Sequence, residues 1–91
     1  MAHFAEIKDG IVQRVIVIDN NTIDNKEFPE SEPIGIAFCK SLFGEDTQWL
    51  QCSYNENFRG VYPSIDAKYD SDNDIFVNDD YTFVDNPEGS L

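Results

Sequence analysis

Phe4-Ala5-Glu6-Ile7-Lys8-Asp9-Gly10-Ile11-Val12-Gln13-Arg14-Val15-Ile16-Val17-Ile18 is the stretch from which the architecture of this chain is read. Asp-Gly between two apolar runs is the pair that a two-residue type I′ turn demands, because both central residues take positive φ. The turn therefore predicts a β-hairpin and fixes its register by counting outward. Lys8 falls opposite Ile11, Glu6 opposite Gln13, Phe4 opposite Val15 and Ala2 opposite Val17. The other face then carries Ile7 with Val12, Ala5 with Arg14 and His3 with Ile16. Near the turn the faces alternate apolar and polar, but Val15-Ile16-Val17-Ile18 is apolar on both sides. A strand of that kind is covered on two faces, so the hairpin is expected inside a larger sheet.

Outward from the hairpin, residues 19–31 read as a polar loop. Ser31-Glu32-Pro33 is a helix-start signal, with a capping hydroxyl, an early acid and a proline in the first turn. A helix is expected over about residues 33–43, stopped by Gly44. Ile34, Phe38 and Leu42 recur at helical spacing and share a face with Ala37, which predicts the stripe that packs on the sheet. Gly35 costs about 1 kcal/mol of helix propensity, which points to a close approach by a neighbour. Beyond Gly44, residues 48–54 read as a strand with Leu50, Cys52 and Tyr54 on one side and Trp49 on the other. Residues 65–70 and 75–77 read as strands flanking the turn Ser71-Asp72-Asn73-Asp74, and Tyr81-Thr82-Phe83-Val84 as a last short strand. The fold class is α+β: antiparallel hairpins curled into a small open barrel of SH3 or Sm-like type, with one packed helix. One domain over residues 1–84 and a flexible acidic tail over 85–91 complete the organisation.

Composition limits the function. The chain has 91 residues, 41% of them hydrophobic and 13% aromatic, enough for a small folded core. Eighteen acids against six bases give a formal charge of −12. That balance opposes binding to phosphate backbones and to anionic membranes. No apolar run reaches membrane-span length and no charged-then-apolar leader opens the chain, so a cytoplasmic-type protein is expected. Residues 45–91 carry eleven acids and two bases, against seven and four in residues 1–44, so a basic partner would suit the second half.

The candidate chemistry is thin. Cys39 and Cys52 have neither CxxC spacing nor a second pair, and read as two buried thiols, a single bridge being the alternative outside a reducing compartment. His3 is the one histidine, so a Ser-His-Asp or Cys-His scheme would have to use it, and it sits on the first strand as a structural or surface residue. Asp70, Asp72 and Asp74 alternate like the start of a calcium loop, but Ile75 stands at its glycine position and Tyr81 at its bidentate glutamate position. They are weak metal candidates, and a solvated acidic turn is the better reading. The glycines are scattered and form no phosphate loop. No cofactor is implied, and no enzyme is expected. The aromatics are more than one small core hides, and Trp49 and Tyr62 are the candidates for a protein–protein contact.

Three stretches then fit together: Ala2-His3-Phe4-Ala5 with its Val-Ile-Val strand; Gly35-Ile36-Ala37-Phe38-Cys39-Lys40-Ser41-Leu42-Phe43-Gly44 leading to Trp49-Leu50-Gln51-Cys52-Ser53-Tyr54-Asn55; and Asn57-Phe58-Arg59-Gly60 with Tyr69-Asp70 and Asp74-Ile75-Phe76. In that order, over about residues 2–77, the chain resembles a family of small uncharacterised proteins of marine cyanophages and ocean metagenomes. The resemblance implies a virion-associated or structural phage component without catalytic residues, located in the virion or the host cytoplasm. It departs from the family after residue 77, where Val77-Asn78-Asp79-Asp80 runs on to Tyr81 in place of a Pro-rich, Trp-containing stretch. The function expected is a non-enzymatic structural or interaction protein with protein partners, acting as a homo-oligomer. The other reading is an Sm-like nucleic-acid-binding barrel, opposed by the acidic charge, with base stacking on exposed Tyr and Phe as its only support.

Overall fold

The computed structural model describes residues 1–78. Strands β1 (Ala2–Lys8) and β2 (Ile11–Ile18) form the expected hairpin around Asp9 and Gly10, at φ 54° and 78°. A short 3-10 turn, Asn20–Ile23, lies within the expected loop and buries Ile23. Helix α1 (Ser31–Phe43), β3 (Gln48–Cys52), β4 (Lys68–Asp70) and β5 (Ile75–Val77) follow. The strands form one antiparallel sheet in the order β3-β1-β2-β4-β5, so the class is α+β with one helix. The sheet is open: its end strands β3 and β5 are not paired to each other. The strand expected over residues 65–70 begins only at Lys68, and Ile65 is exposed in the turn before it. Residues 81–84 and the tail over 85–91 lie outside the described residues.

The hairpin register departs from the count. Lys8 faces Ile11 and Ile7 faces Val12, but Glu6 faces Arg14, Phe4 faces Ile16 and Ala2 faces Ile18. Gln13 is an extra residue that bulges out of β2, and a one-residue slip changes every pair beyond it. Without the bulge, Arg14 would sit opposite Ala5, which is wholly buried. With it, Arg14 meets Glu6 in an ion pair at 2.6 Å, and its guanidinium lies over the Phe43 ring.

The sheet is covered on both faces by separate clusters. Phe4, Ala2, Ile18 and Trp49 face the helix with Cys39 and Ile23, while Ala5, Ile7, Val12, Cys52, Ala67 and Phe76 form the core of the opposite face. Strand β1 lies between β3 and β2 and carries buried residues on both of its faces. The helix does not pack through the expected stripe. Its buried residues are Ser31, Gly35 and Cys39; Ile34 and Phe38 flank them, and Leu42 and Ala37 are exposed. The cause is the Phe4 ring. A Cβ at Gly35 would stand 2.0 Å from Phe4 Cζ, so this side of the helix approaches β1 through a residue without a side chain.

The helix begins at Ser31, two residues before the expected start at Pro33, and Ser31 does not cap it. Its hydroxyl donates to Gln51 Oε1 at 2.7 Å, and the first helical amides are satisfied by the preceding turn, Ser31 N–H to the Glu27 carbonyl and Glu32 N–H to that of Pro29. Gly44 ends the helix at φ 121° with its N–H donated to the Lys40 carbonyl.

Cys39 lies in the helix-side cluster and Cys52 in the opposite one, so the sheet separates the two thiols and both are free. Burial pushes the Cys39 thiol up to about 11 and that of Cys52 up to about 12. The thiolate is the reactive form. Both cysteines are therefore expected to resist a thiol reagent at pH 8 in the folded chain and to react together on denaturation, followed by absorbance of the released reagent. Fast labelling of either under native conditions would contradict their burial.

Candidate protein-contact surface

The two aromatic residues singled out in the sequence have different places. Trp49 is a core residue, 3% exposed, with its ring tilted on Phe43 and its Nε1–H donated to Thr47 Oγ1 at 2.8 Å. It offers no free surface for a contact. The reason is its side of β3: Trp49 pairs with Glu6 and points to the helix face. Tyr62 lies half-buried at the other face, with its hydroxyl and His3 Nδ1 in hydrogen-bonding geometry at 3.1 Å.

Tyr62 belongs to a cluster of three rings. His3 stacks on Tyr54 at 5.6 Å and meets the edge of Tyr62 at 5.4 Å, and Tyr54 packs edge-on to Tyr62 at 5.2 Å. Tyr54 is 66% exposed. Val17, also exposed, stands next to His3 in the sheet, and Cys52 is its neighbour on the other side. One end of the helix-free face thus presents an apolar body with polar tips, the composition that protein interfaces favour. The sequence reading passed over Tyr54; its signal was the alternation that puts it on the side of Leu50 and Cys52, just past the end of β3.

His3 is held below its ordinary pKa of 6.5, first by burial and then by the positive chain terminus. It is neutral near pH 7, where it packs as an aromatic ring. Beside it Cys52 is buried and protonated, so His3 and Cys52 form no activated thiolate pair. A polar cleft lined by His3, Ser53, Tyr54 and Asn57 opens next to the rings.

The three aspartates of the acidic turn do not converge. Asp70 accepts from the Asp72 and Asn73 backbone amides and from the Asn73 side chain, which closes its own turn. Asp74, at φ 54°, accepts from Tyr69 Oη and from Arg59 Nε. Among the described residues no group of three His, Cys, Asp or Glu side chains is placed to hold a metal ion. The Tyr69 hydroxyl and then the Arg59 guanidinium hold the Asp74 carboxyl below its ordinary 3.8. A lowered folded-state pKa contributes stability above the unfolded value, lost as pH falls through the folded one. Asp74→Asn is therefore expected to lower the urea midpoint at pH 6–7, with the difference from the parent shrinking below about pH 3.8; a difference that persists unchanged at lower pH would refute the assignment.

Arg59 is the polar centre of the fold. It takes φ 57°, and its guanidinium is mostly buried among Glu32, the Gln51 carbonyl and Asp74, above the Phe28 ring. Burial pulls its pKa down, but the bonds to Glu32 and Asp74 outweigh that and raise it. Its own carbonyl accepts from Phe76 N–H, and Gly60 bridges to Phe76. One residue therefore touches both end strands of the sheet.

Comparison with known protein families, with curated proteins and with solved structures finds no match to this chain.

Proposed function

We propose that this chain is a non-enzymatic interaction protein that works through protein–protein contacts, as a virion-associated structural component of the kind its sequence resemblance implies. The observation that carries the reading is the exposed ring cluster of Tyr54, His3 and Tyr62 beside Val17. Large rings held by each other lose little side-chain freedom on binding, which favours their use as anchors. The finer architecture belongs to the same proposal: a small open barrel, SH3- or Sm-like in size, whose gap between β3 and β5 is spanned by Arg59. No helix among the described residues is long and apolar enough to cross a membrane.

The test is quantitative mass spectrometry of purified particles, with cross-linking of the intact assembly. The chain is expected in the particles at a fixed ratio to their major protein, with cross-links close to Tyr54. Tyr54→Ala should change stability by less than about 1 kcal/mol, because the side chain is mostly exposed, and should strip the chain from the particles. A chain found only free in the lysate would overturn the reading.

A further inference from the structure

The backbone edges of this sheet are treated unequally. At β3, Gln51 turns its peptide groups away from β1; its N–H donates to Glu32 Oε2 at 2.9 Å and its carbonyl accepts from Arg59 at 3.0 Å. At β5, Phe76 N–H is taken by the Arg59 carbonyl. The lower part of β2 is covered as well, since Val12 bonds to Ala67 and Asp66 and Ile11 pairs with Lys68. Above the bulge the cover stops. Val15 and Val17 face Ala5 and His3, whose own peptide groups serve the ladder to β3. By the alternation of an antiparallel ladder, Val15 and Val17 turn both N–H and C=O outward. Among the described residues nothing pairs with them. Proteins usually guard such an edge with a charge, a proline or a covering loop. Here the edge carries two valines and a single charge, Arg14.

We propose that this edge pairs with itself: two copies of the chain join antiparallel through residues 15–17 of β2, continuing the sheet across a two-fold axis. The inference rests on the interaction reading above and names its partner. Setting Val15 against the second copy's Val17 is the register in which all four outward residues bond to one another, giving four backbone hydrogen bonds around Ile16 on the axis. An isologous contact of this kind closes at two copies. It also places the valines of both copies together on the helix-free face, in line with the ring clusters. The charges fit the register: Arg14 comes beside Ile18 of the second copy and one residue from its Asp19, an acid of the opposite sign. The remaining charge works against association, because two chains of −12 repel, so pairing should strengthen as salt screens that repulsion.

The experiment is sedimentation of the full chain over a range of concentration and salt, with amide hydrogen exchange on the same samples. A dimer is expected that tightens with added salt, with Val15 and Val17 amides protected only at concentrations where the dimer forms. Val17→Lys leaves the core untouched, since Val17 is half-exposed, and sets two like charges near the axis; it should weaken the dimer at least tenfold with the circular dichroism unchanged. Val17→Pro removes the outward N–H and should do the same. A chain that stays monomeric at every salt concentration overturns the proposal. So does a dimer that ignores Val17→Lys and leaves both amides exchanging fast. A dimer that behaves as expected in a chain missing from particles sustains the self-pairing and overturns the virion reading alone.

Discussion

Phe4→Ala should lower the stability of this protein by about 3–5 kcal/mol, the cost of truncating a wholly buried phenylalanine. Phe4 is wedged between the helix and the sheet, packed in the cluster with Ile18, Cys39 and Trp49. A domain of this size is stable by roughly 5–14 kcal/mol, so the variant should lose a large part of its margin. The melting temperature is expected to fall by about 15–30 °C. Gly35 gives the sharper test. In an ordinary exposed helix Gly→Ala stabilises by about 1 kcal/mol. At Gly35 the added methyl would overlap Phe4 Cζ at 2.0 Å and the two Cε atoms at 2.5 and 2.7 Å. The sign should therefore reverse, to a loss of about 1–3 kcal/mol from overpacking. In the Phe4→Ala background the same methyl enters vacated space, and Gly35→Ala should become neutral or stabilising. The four chains form a double-mutant cycle read by urea denaturation. Additive effects would show that the ring and the glycine do not meet.

Arg59→Met is expected to be the next most damaging single change, at about 3 kcal/mol, because it leaves the carboxylate of Glu32 buried without its cation. The side chains of Arg59 and Glu32 are only 10% and 16% exposed, so water compensates little. The same substitution removes the donors to the Gln51 carbonyl and to Asp74, so it loosens β3, the start of the helix and the turn before β5 together. Methionine keeps the length of the stem, and the difference reports the guanidinium. Glu32→Gln in the Arg59→Met background should recover part of the loss, since an amide is cheaper to bury than an unpaired carboxylate. A fall below about 1 kcal/mol for Arg59→Met would place this network with ordinary surface ion pairs.

Much of the local structure was legible in the chain. Asp9-Gly10 demanded a tight turn and takes the positive φ values that such a turn needs. Ser31-Glu32-Pro33 and Gly44 marked the ends of the helix to within two residues, and Ser71-Asp72-Asn73-Asp74 marked the turn between β4 and β5. Two uncharged cysteines without metal spacing read as buried thiols, and they are. The class of fold followed from these elements in order. What the candidate surface required was less visible. That Trp49 lies in the core could not be read from the chain, because alternation along β3 says that the two sides differ without saying which of them the helix covers.

These successes and failures have one physical division. Turn chemistry, helix boundaries and apolar periodicity are set by the φ/ψ preferences of neighbouring residues, so the sequence by itself determined the hairpin, the helix and the acidic turn. Only the tertiary structure decided the register beyond Gln13, where a bulge moves Arg14 from a buried face to Glu6. It also decided which side of the helix is buried, because the Phe4 ring lies against Gly35, 31 residues along the chain. Arg59 becomes a centre through Glu32, 27 residues before it, and Asp74, 15 after it. Such contacts depend on where distant segments come to lie, and that is settled by packing the whole chain at once, not by the preferences of any short stretch.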